Sequence, residues 1–343
     1  MPLRLLLVLV ATSLLGGCYV LEAAHGQMDL NARRVPIARL LAAPGTPPEL
    51  RVRLALAVRL RDYASRELGL PDNDSYRSYA DVGRPFVVWN VFAAPEFAVD
   101  PRVWCFPVAG CVAYRGYFSE RRARDYALGL EIRGDDVAVT GVPAYSTLGH
   151  FADPVLNTML RWNDTELAAL LFHELAHQLL YVRDDTSFNE AFASVVEREG
   201  VRRWLEAAGR PEALAEYRAR GARYREVAEL VAAARSRLRT LYASGLPAAA
   251  MRAAKAEEFA RLRAEYAARR ATLGGYDWLF DAAANNARLL AVATYQDCVP
   301  ALERELAAAD GDLGRFYAAA RALGRMPRTV RHDTACRGAS GGG

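Results

Sequence analysis

The stretch Leu171-Phe172-His173-Glu174-Leu175-Ala176-His177 lies inside an apolar run from Leu167 to Leu180, and its reading decides how the rest of the chain is organised. Apolar residues cover every side of the cylinder this run would form, so the pattern predicts a helix buried all round. On such a helix, residues four apart share a face and stand about 6 Å apart along the axis. His173 and His177 are so placed. Two neutral imidazoles in this arrangement can hold one divalent ion, and the adjacent Glu174 can take a proton from the ion's water. The competing reading is a helix that happens to carry two core histidines. With five histidines in the 343 residues, chance rarely gives this spacing. A buried carboxylate and two imidazoles also need partners, and a metal supplies them.

A third ligand is expected from the next helix. Tyr181 to Thr186 reads as a short polar turn, and Ser187-Phe188-Asn189-Glu190-Ala191-Phe192-Ala193, continuing to Glu197, reads as a second helix. Two antiparallel helices joined by a short loop are neighbours, so His177 and Glu190, each about one turn from the loop, stand at matching heights. His173, His177 and Glu190 would leave one position of a tetrahedral Zn²⁺ site open, which is the catalytic arrangement. Other roles stay open. Ser187-x-x-Glu190 is also a capping box, in which Glu190 ties down the helix start. Glu197, two turns on along the same face, is a rival ligand or an acceptor for a ligand histidine's other N–H, and Asn189 is a candidate to support the ligands from behind.

These residues carry a family resemblance. His173-Glu174-x-x-His177 followed by Asn189-Glu190-x-Phe192-Ala193 resembles the gluzincin metallopeptidases, above all the M1 aminopeptidases with their N-E-G-F-A stretch. Twelve residues separate His177 from Glu190 where M1 enzymes have eighteen, Ala191 stands in place of the family glycine, and there is no G-A-M-E-N stretch. From about Cys18 to Met326 the chain is similar to a bacterial lipoprotein family described as putative aminopeptidases. The resemblance implies a zinc peptidase with a single Zn²⁺ and a peptide substrate. The tetrahedral intermediate also needs a hydrogen-bond donor besides zinc. Tyr145, on the loop before the metal helix, is one candidate. Tyr295 is the other, far downstream as the M1 catalytic tyrosine is. His150 reads as a loop residue or a support behind the ligands rather than a ligand itself.

Residues 1–17 read as a targeting segment: Arg4, a short apolar core from Leu5 to Leu15, then Gly16-Gly17 before Cys18. The core is well short of the roughly 20 residues of a membrane span. Leu15-Gly16-Gly17-Cys18 resembles a bacterial lipobox, which implies acylation of Cys18, export and tethering to a membrane. Tyr19 stands after the cysteine where the lipoproteins of well-studied bacteria retained in the inner membrane have aspartate, so the same resemblance implies the periplasmic face of the outer membrane. An ordinary signal peptide cleaved near Gly17 is the alternative. Export agrees with the remaining cysteines: Cys105, Cys111, Cys298 and Cys336 are even in number. Three pairings are open; a turn between Cys105 and Cys111 favours joining those two, and Cys298 with Cys336. The spacing of Cys105 and Cys111 does not suit a second zinc site.

The composition is that of a globular body. A hydrophobic fraction of 52% and a mean hydropathy of −0.04 exclude disorder and a multi-span membrane protein. The net charge of +4, with arginines alternating with acids, is not a nucleic-acid footprint. The expected fold class is α+β, mostly helical. Helices are predicted over Val20–Asn31, Ile37–Ala42, Pro48–Leu68 and Ser119–Leu130. Strands are predicted over Pro85–Phe92, Val103–Phe106, Cys111–Tyr114 and Val137–Gly141. Gluzincins pair substrate backbone with a sheet edge beside zinc, and Val137–Tyr145 holds that place by position. The organisation expected is 18–207 for the zinc-site body, 208–273 for an antiparallel helical arm (Ala213–Tyr242 and Pro247–Leu273), 274–336 for helices returning to the core, and 337–343 for a tail. The arm would dock a protein partner, self-associate or restrict the cleft; a simply packed hairpin is the other reading. The rival to the enzyme is a non-catalytic envelope lipoprotein with a structural zinc and a partner-binding arm.

Overall fold

The computed structural model describes residues 19–106, 110–293 and 298–336. The chain opens with α1 (19–32), strand β1 (Val35–Pro36), α2 (Ile37–Ala42) and α3 (Pro48–Leu68). Proline within the first turn of α3 removes an N–H that would lack a partner, and Gly69 ends the helix in the left-handed region at φ 65°. Next come β2 (Ser78–Ala80), β3 (Val88–Pro95), β4 (Trp104–Phe106), β5 (Gly110–Val112), β6 (Arg115–Tyr117), α4 (Glu120–Glu131), β7 (Asp135–Val142) and β8 (Val155–Leu156). The architecture is mostly helical α+β, with three small sheets in the order β1-β2-β8, β6-β3-β7 and β4-β5.

β3 pairs antiparallel with both neighbours, Trp89 opposite Tyr117 in β6 and Val91 opposite Val139 in β7. Trp89, Val91 and Ala93 pack on Ala123, Ala127 and Leu130 of α4, while Phe92 and Ala94 take the opposite face. Covered on both faces, β3 has no reason to alternate apolar with polar residues. The predicted strand Cys111–Tyr114 is shorter than expected. It stops at Val112, leaving Tyr114 in the bend before β6. Cys105 and Cys111 sit opposite each other in the β4–β5 hairpin and are disulfide-bonded.

The main core surrounds α5 (Asp164–Leu179) and α6 (Thr186–Ala207), which run antiparallel. Asn163 and Glu166 form a capping box at the start of α5. Leu171, Phe172 and Leu175 of α5 and Phe188, Phe192 and Val196 of α6 are all fully buried. Close approach is allowed by Gly200, where a Cβ would come within 2.8 Å of the Phe172 ring and 2.7 Å of Leu68.

α7 (Pro211–Tyr242) and α8 (Ala248–Ala267) form a second antiparallel hairpin, followed by α9 (Arg270–Leu273). Val227, Val231, Ala234 and Leu238 meet Phe259, Leu262 and Tyr266 in a core of its own, which also takes in Val99 and Leu289. The helix expected to run through to Leu273 breaks between Ala267 and Arg270. A 3₁₀ turn, α10 (Asn286–Ala293), α11 (Val299–Ala308), α12 (Leu313–Gly324) and α13 (Arg328–Ala335) complete the chain. Cys298 and Cys336 are joined, holding the end of α13 to the start of α11. Among the described residues no helix is long and apolar enough to cross a membrane.

Candidate metal centre

The α5–α6 hairpin brings three donors together. His173 Nε2 and His177 Nε2 are 3.2 Å apart, with the two rings nearly perpendicular. Glu190 enters from α6, its Oε2 3.3 Å from His173 Nε2 and its Oε1 3.7 Å from His177 Nε2. An ion bound at about 2.0–2.1 Å with tetrahedral angles separates its donors by roughly 3.3–3.4 Å. The observed spacings match that requirement closely.

The Ser187 capping-box alternative does not hold. Asp185 is the N-cap of α6, accepting from Phe188 N at 3.2 Å, so Glu190 lies beyond the first turn and points to the histidines. Glu197 accepts from His173 Nδ1 at 3.1 Å, and its other oxygen accepts from Tyr217 O–H at 2.8 Å. With Nδ1 protonated toward Glu197, a neutral His173 turns the lone pair of Nε2 toward Glu190 and His177. Lone pairs of three donors facing one another repel unless a cation, or a proton on His173 Nε2, lies between them. The residues present therefore fit a divalent ion. Asn189 acts elsewhere in the hairpin: its side chain accepts from Val182 N and donates to Val182 O, both at 2.7 Å, pinning the turn.

Burial governs the electrostatics. It pushes the Glu174 carboxyl up to about 7 and lowers His177 to about 4. For His173, burial acts downward but the Glu190 and Glu197 carboxylates outweigh it and raise the imidazole. Burial raises Glu190, yet the two histidines overcome it and hold the carboxyl below its usual range. His177 Nδ1 is buried with no hydrogen-bond partner among the described residues.

All three donors and Glu174 line one cavity of about 1220 Å³, with the sheet on one side and α7 on another. Gly116 of β6 and Val142 of β7 both reach it, so both edges of the three-stranded sheet meet the site, not only the expected β7 edge. Among the described residues no fourth His, Cys, Asp or Glu joins the group, whose remaining side is the cavity.

A family model described as "Putative aminopeptidase" matches residues 18–334. The chain belongs to that family. No curated protein and no solved structure matches it. As a member of an aminopeptidase family, it is a peptidase at the level the match supports, and the match runs from α1 into α13, taking in both helical hairpins.

Of the two tyrosines expected to serve this family member, Tyr145 lines the cavity with its ring against Phe118 at 5.5 Å. Burial, then the Asp153 charge, raises its phenol to about 12. Tyr295 and Cys18 lie outside the described residues. Two tyrosines were missed. Tyr114 and Tyr181 both line the cavity, and in each the phenol is raised first by burial and then by the charge of Glu190. Tyr181 opens the turn directly after the metal helix, a place the sequence marks; Tyr114 comes from the link before β6 and had no such signal. His150 is an exposed loop residue at the cavity wall.

A second donor group, Cys298, His332 and Cys336, differs in kind. Its sulfurs are bonded to each other, and His332 Nε2 faces Asp185 Oδ1 at 2.8 Å. It serves as a clasp on the hairpin turn.

Proposed function

We propose that this chain is a zinc-dependent peptidase of gluzincin type, tethered through a lipid on Cys18 to the periplasmic face of the outer membrane. The observation that carries the reading is the convergence of His173, His177 and Glu190 at tetrahedral spacing, with Glu174 beside them on a large cavity. A structural zinc is normally closed by a fourth protein ligand. Here the remaining side faces the cavity, which favours catalysis over a purely structural role.

Zinc, when bound, supplies a Lewis acid that activates water and polarises the scissile carbonyl. His173, His177 and Glu190 would hold it, with Glu197 fixing the orientation of His173. Glu174 accepts the proton of the attacking water and passes it to the leaving amine. A carboxyl raised by burial is a stronger base than an exposed one and suits both halves of that transfer. Among the described residues, Tyr114 and Tyr181 join Tyr145 as cavity-lining hydroxyls that could donate to the carbonyl oxygen. The apolar Val20 and Leu21, 61% and 70% exposed just after Cys18, support a body held against lipid at that end.

Purified protein is expected to carry one zinc per chain by elemental analysis. Glu174→Gln should keep that zinc and hydrolyse peptides roughly 10²–10⁴-fold more slowly. Parental rates in this variant would remove Glu174 from the mechanism. Cys18→Ala should move the protein from the membrane to the soluble fraction; unchanged fractionation would refute the tether.

A further inference from the structure

We propose that one face of α7 recognises a carboxylate on the peptide substrate, through Arg218 and Arg225. The inference rests on the peptidase reading above and names its substrate class.

Leu214, Tyr217, Arg218, Gly221, Tyr224 and Arg225 all line the cavity that holds the metal donors. Their steps of three and four residues place them on one face of a helix. The near end of this stripe is tied to the centre, because Tyr217 donates to Glu197 and Glu197 holds His173. From Tyr217 to Arg225 the helix rises about 12 Å, at roughly 1.5 Å per residue. An extended peptide covers that distance in three to four residues at about 3.3 Å each. Between the two arginines, a Cβ added at Gly221 would meet nothing within 4 Å, so the backbone there stands open to a ligand.

The pairing of charges around the cavity says what that ligand carries. Glu166 is paired with Arg220, Glu199 with Arg202 and Arg203, and Glu303 with Arg198. Glu190, Glu197 and Glu174 belong to the centre. Arg218 has only Glu206, at 3.7 Å, a carboxylate that Arg202 already holds at 2.6 Å. Arg225 is exposed and, among the described residues, in no ion pair. The charge left over is positive, and every described cavity glutamate is engaged, so none stands ready for a free substrate amine. Guanidinium groups match carboxylates in shape as well as charge. The substrate is thus a peptide with a carboxylate within about four residues of the cleaved bond, either its C-terminus or an acidic side chain.

The test uses zinc-loaded full-length protein and three peptides of equal length: neutral with a free C-terminal carboxylate, neutral with a C-terminal amide, and amidated with one glutamate near the cleaved bond. At least one carboxylate-bearing peptide should exceed the neutral amide in kcat/KM by tenfold or more, chiefly through KM, and lose that advantage in high salt. Arg218→Gln and Arg225→Gln should each shrink the ratio. Arg239→Gln, which removes a charge from α7 outside the cavity, should leave it unchanged. Equal kcat/KM for all three peptides overturns the proposal, as does an equal drop in the ratio with Arg239→Gln. Binding is read separately on Glu174→Gln by fluorescence anisotropy, where the carboxylate peptides should bind tenfold tighter than the neutral amide. Loss of that discrimination overturns the carboxylate site whatever the turnover. Discrimination in binding with no cleavage by the parent sustains the carboxylate site and overturns the peptidase reading.

Discussion

The two helical hairpins of this protein close with turns of opposite character. The turn between α5 and α6 is fastened from three sides. Asn189 clips Val182, Asp185 caps α6, and Arg331 and His332 of α13 grip the Asp185 carboxylate, with Arg331 Nε at 2.7 Å. Asp185 and Arg331 are both buried. The turn between α7 and α8, Ala243 to Pro247, is exposed throughout, and its helices are joined across the seam by Arg237, which reaches Glu258 and Glu265. The first hairpin must hold imidazoles and carboxylates at fixed distances on the wall of the cavity, so its loop is over-determined. The second presents a face to a cavity and needs only to stay folded.

If that contrast is right, breaking the first turn is the costliest change. Arg331→Ala leaves the buried Asp185 with His332 and the Phe188 N–H but without its guanidinium, and should lower stability by about 3 kcal/mol, read by urea unfolding. A loss below about 0.5 kcal/mol would show that the clasp does not hold the turn. Next comes the support behind the ligands: Glu197→Gln should weaken zinc binding by roughly 10–100-fold with little change in fold, measured by competition with a chelator. The smallest effects sharpen the comparison through two mid-helix glycines. Gly200→Ala forces the Phe172 ring and Leu68 aside and should cost about 1–3 kcal/mol. Gly221→Ala on α7 meets empty space and should stabilise by about 0.5–1 kcal/mol. Thermal melts giving both substitutions the same sign would remove the distinction between a packed hairpin and an open one.

Periodic features were readable in advance. Helices α2 and α3 were bounded to the residue because a proline at or just before each helix start, and Gly69 at the end of α3, act through local backbone chemistry. The one-face placement of His173 and His177 is likewise a property of four-residue spacing. Strand lengths were less accessible. Tyr114 leaves its strand and turns toward the cavity for reasons of packing that no neighbouring residue announces.

Within 343 residues, the sequence by itself determined that two imidazoles and a carboxylate would share a buried helix, because a single helix sets that geometry through hydrogen bonds between near neighbours. Tertiary structure alone decided that Glu190 meets both histidines while Glu197 takes the far nitrogen of one. It also decided that a stripe of α7 with unspent positive charge faces the same cavity. These follow from the register in which separate helices pack, and register depends on side chains far apart in the chain fitting together, which no local pattern encodes.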